Sequence, residues 1–236
     1  MPDPNVVAII HARGGSKRIP LKNLALLAGQ PLLYYPIRLC QKLSWISRII
    51  VSTDHDEIAR QAMLLGAEVP FSRPPGLSED VPSELVTEHA LRYLIENEKE
   101  SPDYAVTLTP ATPLTRPETI DEAFRLLHQN PEWTSVTAVR PATEFPEWLL
   151  RVDETTRQAR TVLGNSLDGE YNVSQNLPRA YYPTGAFWIS RVPYFLKRPS
   201  MYGDKWGAVI RSDAESIDID WPEDLERARA TFRKGV

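Results

Sequence analysis

Apolar runs of strand length alternate with amphipathic runs of helix length along most of this chain. No other feature limits its fold as much. Val6, Val7, Ile9 and Ile10 make a first buried strand ending near His11. Residues 48–54 (RIIVSTD), 103–109 (DYAVTLT), 133–140 (WTSVTAVR) and 184–190 (TGAFWIS) read the same way, and 68–71 as a short strand. Helical patterns fall between them at 31–43, with Pro36 as a kink, at 55–67, closed by Gly66, and at 84–98 and 118–130. Ser83 stands where an N-cap is expected, and Pro222 suits the first turn of a last helix over 222–234. Strands alternating with helices of about 10–15 residues imply βαβ units, an α/β class and a mostly parallel sheet. In such sheets ligands bind beyond the carboxyl ends of the strands. The loops 12–23, 53–56, 109–116 and 141–147 are therefore expected to gather at one edge. The rhythm breaks over 141–182. A short hairpin (148–152 with 157–163) and a polar stretch there read as an insertion within one domain spanning 1–236.

The first strand empties into ARGGSKRIPLKN (12–23). Gly14 and Gly15 allow a tight turn that exposes backbone N–H groups. Arg13, Lys17, Arg18 and Lys22 follow in the same stretch, an arrangement suited to polyphosphate. The other reading is a solvated basic loop. The stretch contains neither G-x-G-x-x-G nor G-x-x-x-x-G-K-[ST], which excludes a dinucleotide fingerprint and a P-loop. The net charge of −4 makes the loop a local exception in an acidic chain and argues against a nucleic-acid binder.

Cys40 is the single cysteine and reads as a small core residue. Histidine spacing offers no zinc site. MPDPN has no signal-peptide pattern, and no apolar run approaches the roughly 20 residues that span a bilayer. A cytoplasmic protein without membrane partners is expected.

A second signal lies in ESIDIDWPEDLERA near the other end of the chain. If 217–220 is a strand, Asp218 and Asp220 share one face and Ile217 and Ile219 the other. Two neighbouring carboxylates need solvent or a cation, and Mg²⁺ accepts one or two carboxylates plus phosphate oxygens. The alternative is a solvated strand end with Asp220 capping the helix. Asp54 reads equally as a cap or a site residue, and Arg73 as an ion-pair partner or a ligand contact. Thr109, Thr112 and Thr115 offer hydroxyls at a strand end, for ligand or turn. Arg179, Tyr181 and Tyr182 suit an anionic substrate or an interface. Trp133, Trp148 and Trp188 read as core.

ARGGSKRIPLKN, RIIVSTDHDEIA, RPPGLSED, NLPRAYYPTGAFWI and SIDID, in this order, resemble the CMP-sialic acid synthetases (acylneuraminate cytidylyltransferases). The relatives that activate legionaminic, pseudaminic and Kdo-type sugars are similar. The resemblance implies one Rossmann-like nucleotidyltransferase domain, with 141–182 as a dimerisation arm and a homodimer as the assembly. It implies CTP as co-substrate, Mg²⁺ as the divalent cation and a 2-keto-3-deoxy sugar acid as acceptor. Ala12, Arg13, Gly14, Ser16, Lys17 and Asn23 fall on the family's CTP loop. Arg73 and Ser83 fall on a further nucleotide-contacting stretch, and Asp218 and Asp220 on the metal pair. Thr109, Thr112, Arg179 and Tyr182 take the sugar end. That end departs from the sialic-type pattern. Thr109 stands where a Gln is usual, Ser174 where an Arg is usual and Thr184 where an Asn is usual. Sialic acid and a related nonulosonic acid both stay open.

The implied reaction is in-line transfer. The anomeric hydroxyl attacks the α-phosphorus of CTP, and pyrophosphate leaves. Arg13, Lys17 and Asp220 are its catalytic candidates. No residue stands out as a general base. Two other functions fit the same residues: transfer to a sugar 1-phosphate, and a non-catalytic nucleotide-binding regulator. Paired carboxylates weigh against the regulator.

Overall fold

The computed structural model describes residues 4–233. Met1–Asp3 and Lys234, the ends of the expected N-terminal segment and last helix, lie outside them. The strands are β1 (Val6–His11), β2 (Leu26–Leu27), β3 (Gln30–Pro31), β4 (Arg48–Ser52), β5 (Tyr104–Leu108), β6 (Ser135–Pro141), β7 (Leu150–Val152), β8 (Ala159–Thr161), β9 (Tyr181–Arg191) and β10 (Trp206–Ile210). The helices are α1 (Tyr34–Gln41), α2 (Asp56–Leu64), α3 (Ser83–Asn97), α4 (Pro117–Gln129), α5 (Val192–Lys197) and α6 (Pro222–Arg233).

One six-stranded sheet in the order β10-β6-β9-β5-β1-β4 organises the molecule. β1 runs parallel to β4 and β5, and β10 parallel to β6. β9 is antiparallel to both β5 and β6. The expected mostly parallel α/β sheet is therefore present, with one reversed strand inside it. Val6 to Ile10 are fully buried. Burial on both faces explains why β1 reads as a continuous apolar run. On one face Ile37, Cys40, Ile58, Ile120 and Leu127 pack against Ala8, Val106 and Phe187. On the other, Ala90, Leu91, Leu94 and Phe195 pack against Val7, Ile9 and Ala105. Cys40 is core as expected, and burial pushes its thiol up to about 12. A third cluster joins Leu27, Leu32, Ile217, Ile219 and Leu225, tying α6 and the segment before it to the small β2–β3 hairpin.

Local chemistry accounts for several corrections. The helix expected from residue 31 starts at Tyr34, because Gln30 and Pro31 pair with Leu26 and Leu27. Pro36 lies in the first turn of α1, where its missing N–H costs nothing, so it introduces no break. Gly66 ends α2 at φ +89°, with Gly66 N–H on the Met63 carbonyl and Ala67 N–H on that of Ala62. This is a Schellman closure. The strand expected at 68–71 reduces to a single bridge between Glu68 and Ile50. Ser83 starts α3 without capping it. Residues 217–220 form no ladder, although Ile217 and Ile219 are buried and Asp218 and Asp220 exposed in the expected alternation. Asp220 does not cap α6; Asp224 Oδ2 accepts the N–H groups of Asp220 and Trp221. Trp148 is 38 % exposed, not core, and its Nε1 donates to the Tyr171 carbonyl within the insertion.

The insertion leaves the sheet after β6 and returns as β9. Its only ladder among the described residues is the β7–β8 hairpin. Leu149, Leu150, Val152, Leu163 and Val173 are exposed along it. β10 carries no expectation from the sequence. At Gly207, in β10, a Cβ would fall inside the Trp133 ring, so only glycine fits there.

Candidate functional site

The loops after β1, β4 and β5 meet at one edge of the sheet, as expected of βαβ order. The loop after β1 is fixed by its backbone. Ala12, fully buried, donates its N–H to the Ser52 carbonyl at 3.0 Å. Gly14 N–H donates to Asp54 Oδ1 at 2.8 Å, so Asp54 holds the loop and does not cap α2. Gly14 has no room for a side chain: a Cβ would stand 2.8 Å from His55 Cδ2. Asn23 is buried, and its Nδ2 donates to the Arg13 carbonyl at 2.8 Å, which closes the loop onto itself.

This loop walls a cavity of about 440 Å³. Arg13, Ser16, Lys17, Arg18, Lys22, Asn23, Arg73, Ser83, Thr109 and Asp220 all line it. Most of the sequence-derived nucleotide residues therefore share one space. The cations are matched by carboxylates from distant segments. Arg13 Nη2 pairs with Asp80 Oδ1, and Lys17 Nζ with Asp80 Oδ2 at 3.1 Å. These two partners hold the Asp80 carboxyl down at about 2. Arg18 and Lys22 each stand 3.1 Å from Asp220, and Lys22 Nζ also donates to the Ile219 carbonyl at 2.7 Å. The Arg18 guanidinium lies over the Trp221 ring, 4.5 Å from its centre.

Arg73 is 4 % exposed. Its Nε donates to Ser52 Oγ at 3.1 Å and its Nη2 to the Ser52 carbonyl. Burial lowers its pKa to about 10, with Asp54 opposing and Arg13 assisting, so it stays charged at neutral pH. Arg73 is thus buried in the cavity wall and not a surface ion-pair partner.

A second cavity, about 840 Å³, lies on the other side of the acidic pair. Asp218 lines it together with Arg140, Thr143, Tyr182, Thr184, Gly185 and Arg227. Gly185 borders this wall at φ +66°, a left-handed conformation that favours glycine, while a Cβ there would make only ordinary contact, 3.9 Å from Asp218 Oδ2. The Arg140 guanidinium lies 5.3 Å from the Tyr182 ring centre. Although Asp218 is exposed by surface area, the protein packed around its carboxyl and then the charge of Asp220 push it up to about 6, against the weaker pull of Lys22. Such a pair is short of positive charge on the Asp218 side.

Among the described residues, no group of three or more His, Cys, Asp or Glu is placed to hold a metal ion. The protein offers two carboxylates at most, and other oxygens must complete any coordination. An all-oxygen set of this kind suits Mg²⁺. The residues present fit that ion.

Not every candidate joins the cavities. Thr112 is buried, and its hydroxyl faces the Thr109 and Ala186 carbonyls at 3.4 and 3.5 Å, a turn-closing role. Arg179 is exposed and lines neither space. Asp80, Arg140 and Arg227 belong to the cavities but drew no attention in the sequence. Asp80 falls within the RPPGLSED motif, and that was the available signal. Arg140 sits at a strand end with no motif of its own, and Arg227 lies at the helical end of the ESIDIDWPEDLERA stretch, whose carboxylates carried the reading.

A family model described as cytidylyltransferase matches residues 7–231. The CMP-N,N'-diacetyllegionaminic acid synthase of Legionella pneumophila is 31% identical over 220 residues, covering 93% of this chain and 92% of that protein. The pseudaminic acid cytidylyltransferase of Campylobacter jejuni is 26% identical over 227 residues, covering 96% of each. Among solved structures, a CMP:2-keto-3-deoxy-manno-octonic acid synthetase complexed with CTP superposes with a TM-score of 0.71. It is 16% identical and covers 98% of this chain and 100% of that one.

Proposed function

The chain belongs to the cytidylyltransferase family, and from that premise we propose that it joins CMP from CTP to the anomeric hydroxyl of a 2-keto-3-deoxy sugar acid of the nonulosonic type, releasing pyrophosphate. The observation that carries this reading is the pair of cavities meeting at Asp218 and Asp220. One is lined by cations and the other by Arg140, Tyr182 and Arg227. The first suits a triphosphate and the second an acidic sugar, with the carboxylates between them.

Arg13, Lys17, Arg18 and Lys22 neutralise the triphosphate as charge builds on its oxygens. Asn23 and Asp54 keep the loop in shape, so those cations need little rearrangement at the moment of transfer. Arg73 and Ser83 hold the nucleoside side. Arg140 and Arg227 draw the sugar carboxylate into the second cavity, and Tyr182 forms its wall. Bringing hydroxyl and α-phosphorus together in line supplies a large share of the rate. Asp218 and Asp220 would hold a divalent cation, which would supply charge neutralisation and a lower pKa for the attacking hydroxyl.

The exposed apolar residues of the insertion support its role as a dimerisation arm. Light scattering at micromolar concentration should give twice the chain mass, and a monomer would refute the arm. Among the described residues no helix is long and apolar enough to cross a membrane.

The test of function is pyrophosphate release across a panel of nucleoside triphosphates and keto-sugar acids. Turnover with CTP and a nonulosonic acid, lost in EDTA and restored by Mg²⁺, is the expected result. Turnover with a sugar 1-phosphate, or none with any acid, would refute it. Comparable turnover with ATP or GTP would refute CTP as the nucleotide.

A further inference from the structure

The first cavity sets, along its inner wall, a neutral polar relay beside the buried Arg73 guanidinium. Its mouth carries exposed charge, with the Lys17 side chain 83 % and that of Arg18 48 % accessible. Its inner wall carries His11, at the end of β1. His11 Nε2 lies 3.1 Å from Thr87 Oγ1, and Thr87 Oγ1 lies 3.1 Å from Thr107 Oγ1. Both threonines are almost fully buried. Thr87 is one helical turn from Ser83 on the same face of α3. Thr107 shares a strand face with Thr109. Ser83 and Thr109 both line the cavity, so each hydroxyl of the relay stands just behind a cavity residue.

This relay has a direction. Suppose His11 Nε2–H donated to Thr87 and Thr87 donated to Thr107. The Thr107 hydroxyl would then be left as a buried donor, with no acceptor beyond Thr87 among the described residues. In the reverse direction Thr107 donates to Thr87, and Thr87 donates to His11 Nε2. Every buried donor then has an acceptor, and the ring proton is placed on Nδ1. Burial and the nearby Arg73 charge keep the ring neutral, with a pKa near 3. A neutral N–H donor suits an uncharged acceptor. A phosphate has stronger partners at the cationic mouth.

We propose that His11 is a specificity-determining residue, donating from Nδ1 to a carbonyl oxygen of a pyrimidine base, with Thr87 and Thr107 fixing its tautomer. The proposal rests on the reading of this cavity as the CTP site. Cytosine carries such a carbonyl and adenine carries none, so the contact separates CTP from ATP.

The experiment has two arms. In the free protein, ¹⁵N NMR of the His11 ring should show the Nδ1–H tautomer, and T107V should shift the ring toward the other form. An Nε2–H tautomer in the wild type would overturn the relay. In calorimetric titrations without sugar acid, H11L should weaken CTP about tenfold, the scale of one hydrogen bond, and leave ATP unchanged. H11N, which keeps a donor near the Nδ1 position, should recover part of the loss, and T107V should lose less in the same direction. Equal binding of CTP by wild type and H11L, or equal loss for CTP and ATP, would overturn the proposal. A wild type that binds no CTP would refute the cytidylyl reading and the base contact with it. That outcome is distinct from the failure of His11 alone.

Discussion

Glu215→Gln tests how the acidic segment is held. Arg211 is only 1 % exposed and Glu215 8 %. Arg211 Nη2 donates to the Glu215 carbonyl, and its Nε lies 3.6 Å from Glu215 Oε2. Arg211 Nε and Nη1 are buried without a hydrogen-bond partner. Desolvation lowers the Arg211 pKa to about 10, while the Glu215 charge opposes that fall, so the guanidinium is charged at pH 7. Glu215 also pairs with Arg116 at 3.1 Å and accepts from the Thr119 hydroxyl at 3.1 Å, which ties the Ala214–Ser216 turn to α4. Removing one partner of a buried pair costs about 3–5 kcal/mol, because the other charge stays uncompensated. Glutamine keeps its shape and main-chain contacts, which places the loss near the lower end, about 3 kcal/mol. For a chain of this size each kcal/mol moves Tm by roughly 2–4 °C, so a fall of roughly 6–12 °C is expected. Urea unfolding at pH 7, followed by tryptophan fluorescence, measures the loss directly. The double variant R211M/E215Q removes both charges and should recover most of it. A Glu215→Gln loss below about 0.5 kcal/mol, the level of an ordinary surface change, would refute the assignment of this ion pair as the clamp.

Other expectations concern the loop and His11. Gly14→Ala drives a Cβ into His55, while a Cβ at Gly15 meets nothing nearer than 3.9 Å. The first should therefore destabilise by about 1–3 kcal/mol and raise KM for CTP, and the second should do neither, as melting curves and steady-state kinetics will show. Lys17→Ala should cut kcat/KM about a hundredfold while leaving the melting temperature unchanged, and near-normal turnover would remove Lys17 from the mechanism. His11 has a folded pKa near 3 against an ordinary 6.5. As pH falls between those values the unfolded chain takes up a proton that the folded chain refuses. Its contribution is thus fully present above about 6.5 and lost toward 3, by at most about 1.4 kcal/mol per pH unit. His11→Leu should flatten that limb of the stability–pH curve, and an unchanged slope would show that His11 ionises in the folded protein.

The strands β1, β4, β5 and β6 were legible because parallel strands buried on both faces leave unbroken apolar runs. β10 escaped notice because its residues alternate in burial and Gly207 interrupts them, a weak signal for a strand of five residues. The reversed direction of β9 is a tertiary property. Apolar residues recur in the same way whichever direction a strand runs. The expected cap at Ser83, and the capping alternatives left open at Asp54 and Asp220, fail for a related reason. Ser83, Asp54 and Asp220 occupy positions where a helix accepts a cap, yet each is drawn to the cavity or its loop instead. Propensity at a helix end is worth about 1 kcal/mol, small enough for a site to override.

The site was legible in its cations and hidden in their counter-charges. The sequence places Arg13, Lys17, Arg18 and Lys22 in one loop, which reads as an open positive patch. Folding brings Asp80 to the first two and Asp220 to the second two across long sequence separations. No local pattern announces such pairing. The loop is consequently an array of ion pairs already satisfied, and an anion enters it by exchange. These pairs are largely exposed and individually weak, so exchange is not prohibitive. It favours the ligand that presents several charges at once over one that presents a single charge. A triphosphate can replace Asp80 at both Arg13 and Lys17, whereas a lone phosphodiester competes with it on nearly equal terms. If this cavity takes the triphosphate as proposed, Asp80 would bias it toward that substrate and away from a CMP-linked product, and Asp80→Asn should then tighten CMP more than CTP in calorimetric titrations; an equal change for both would refute the exchange.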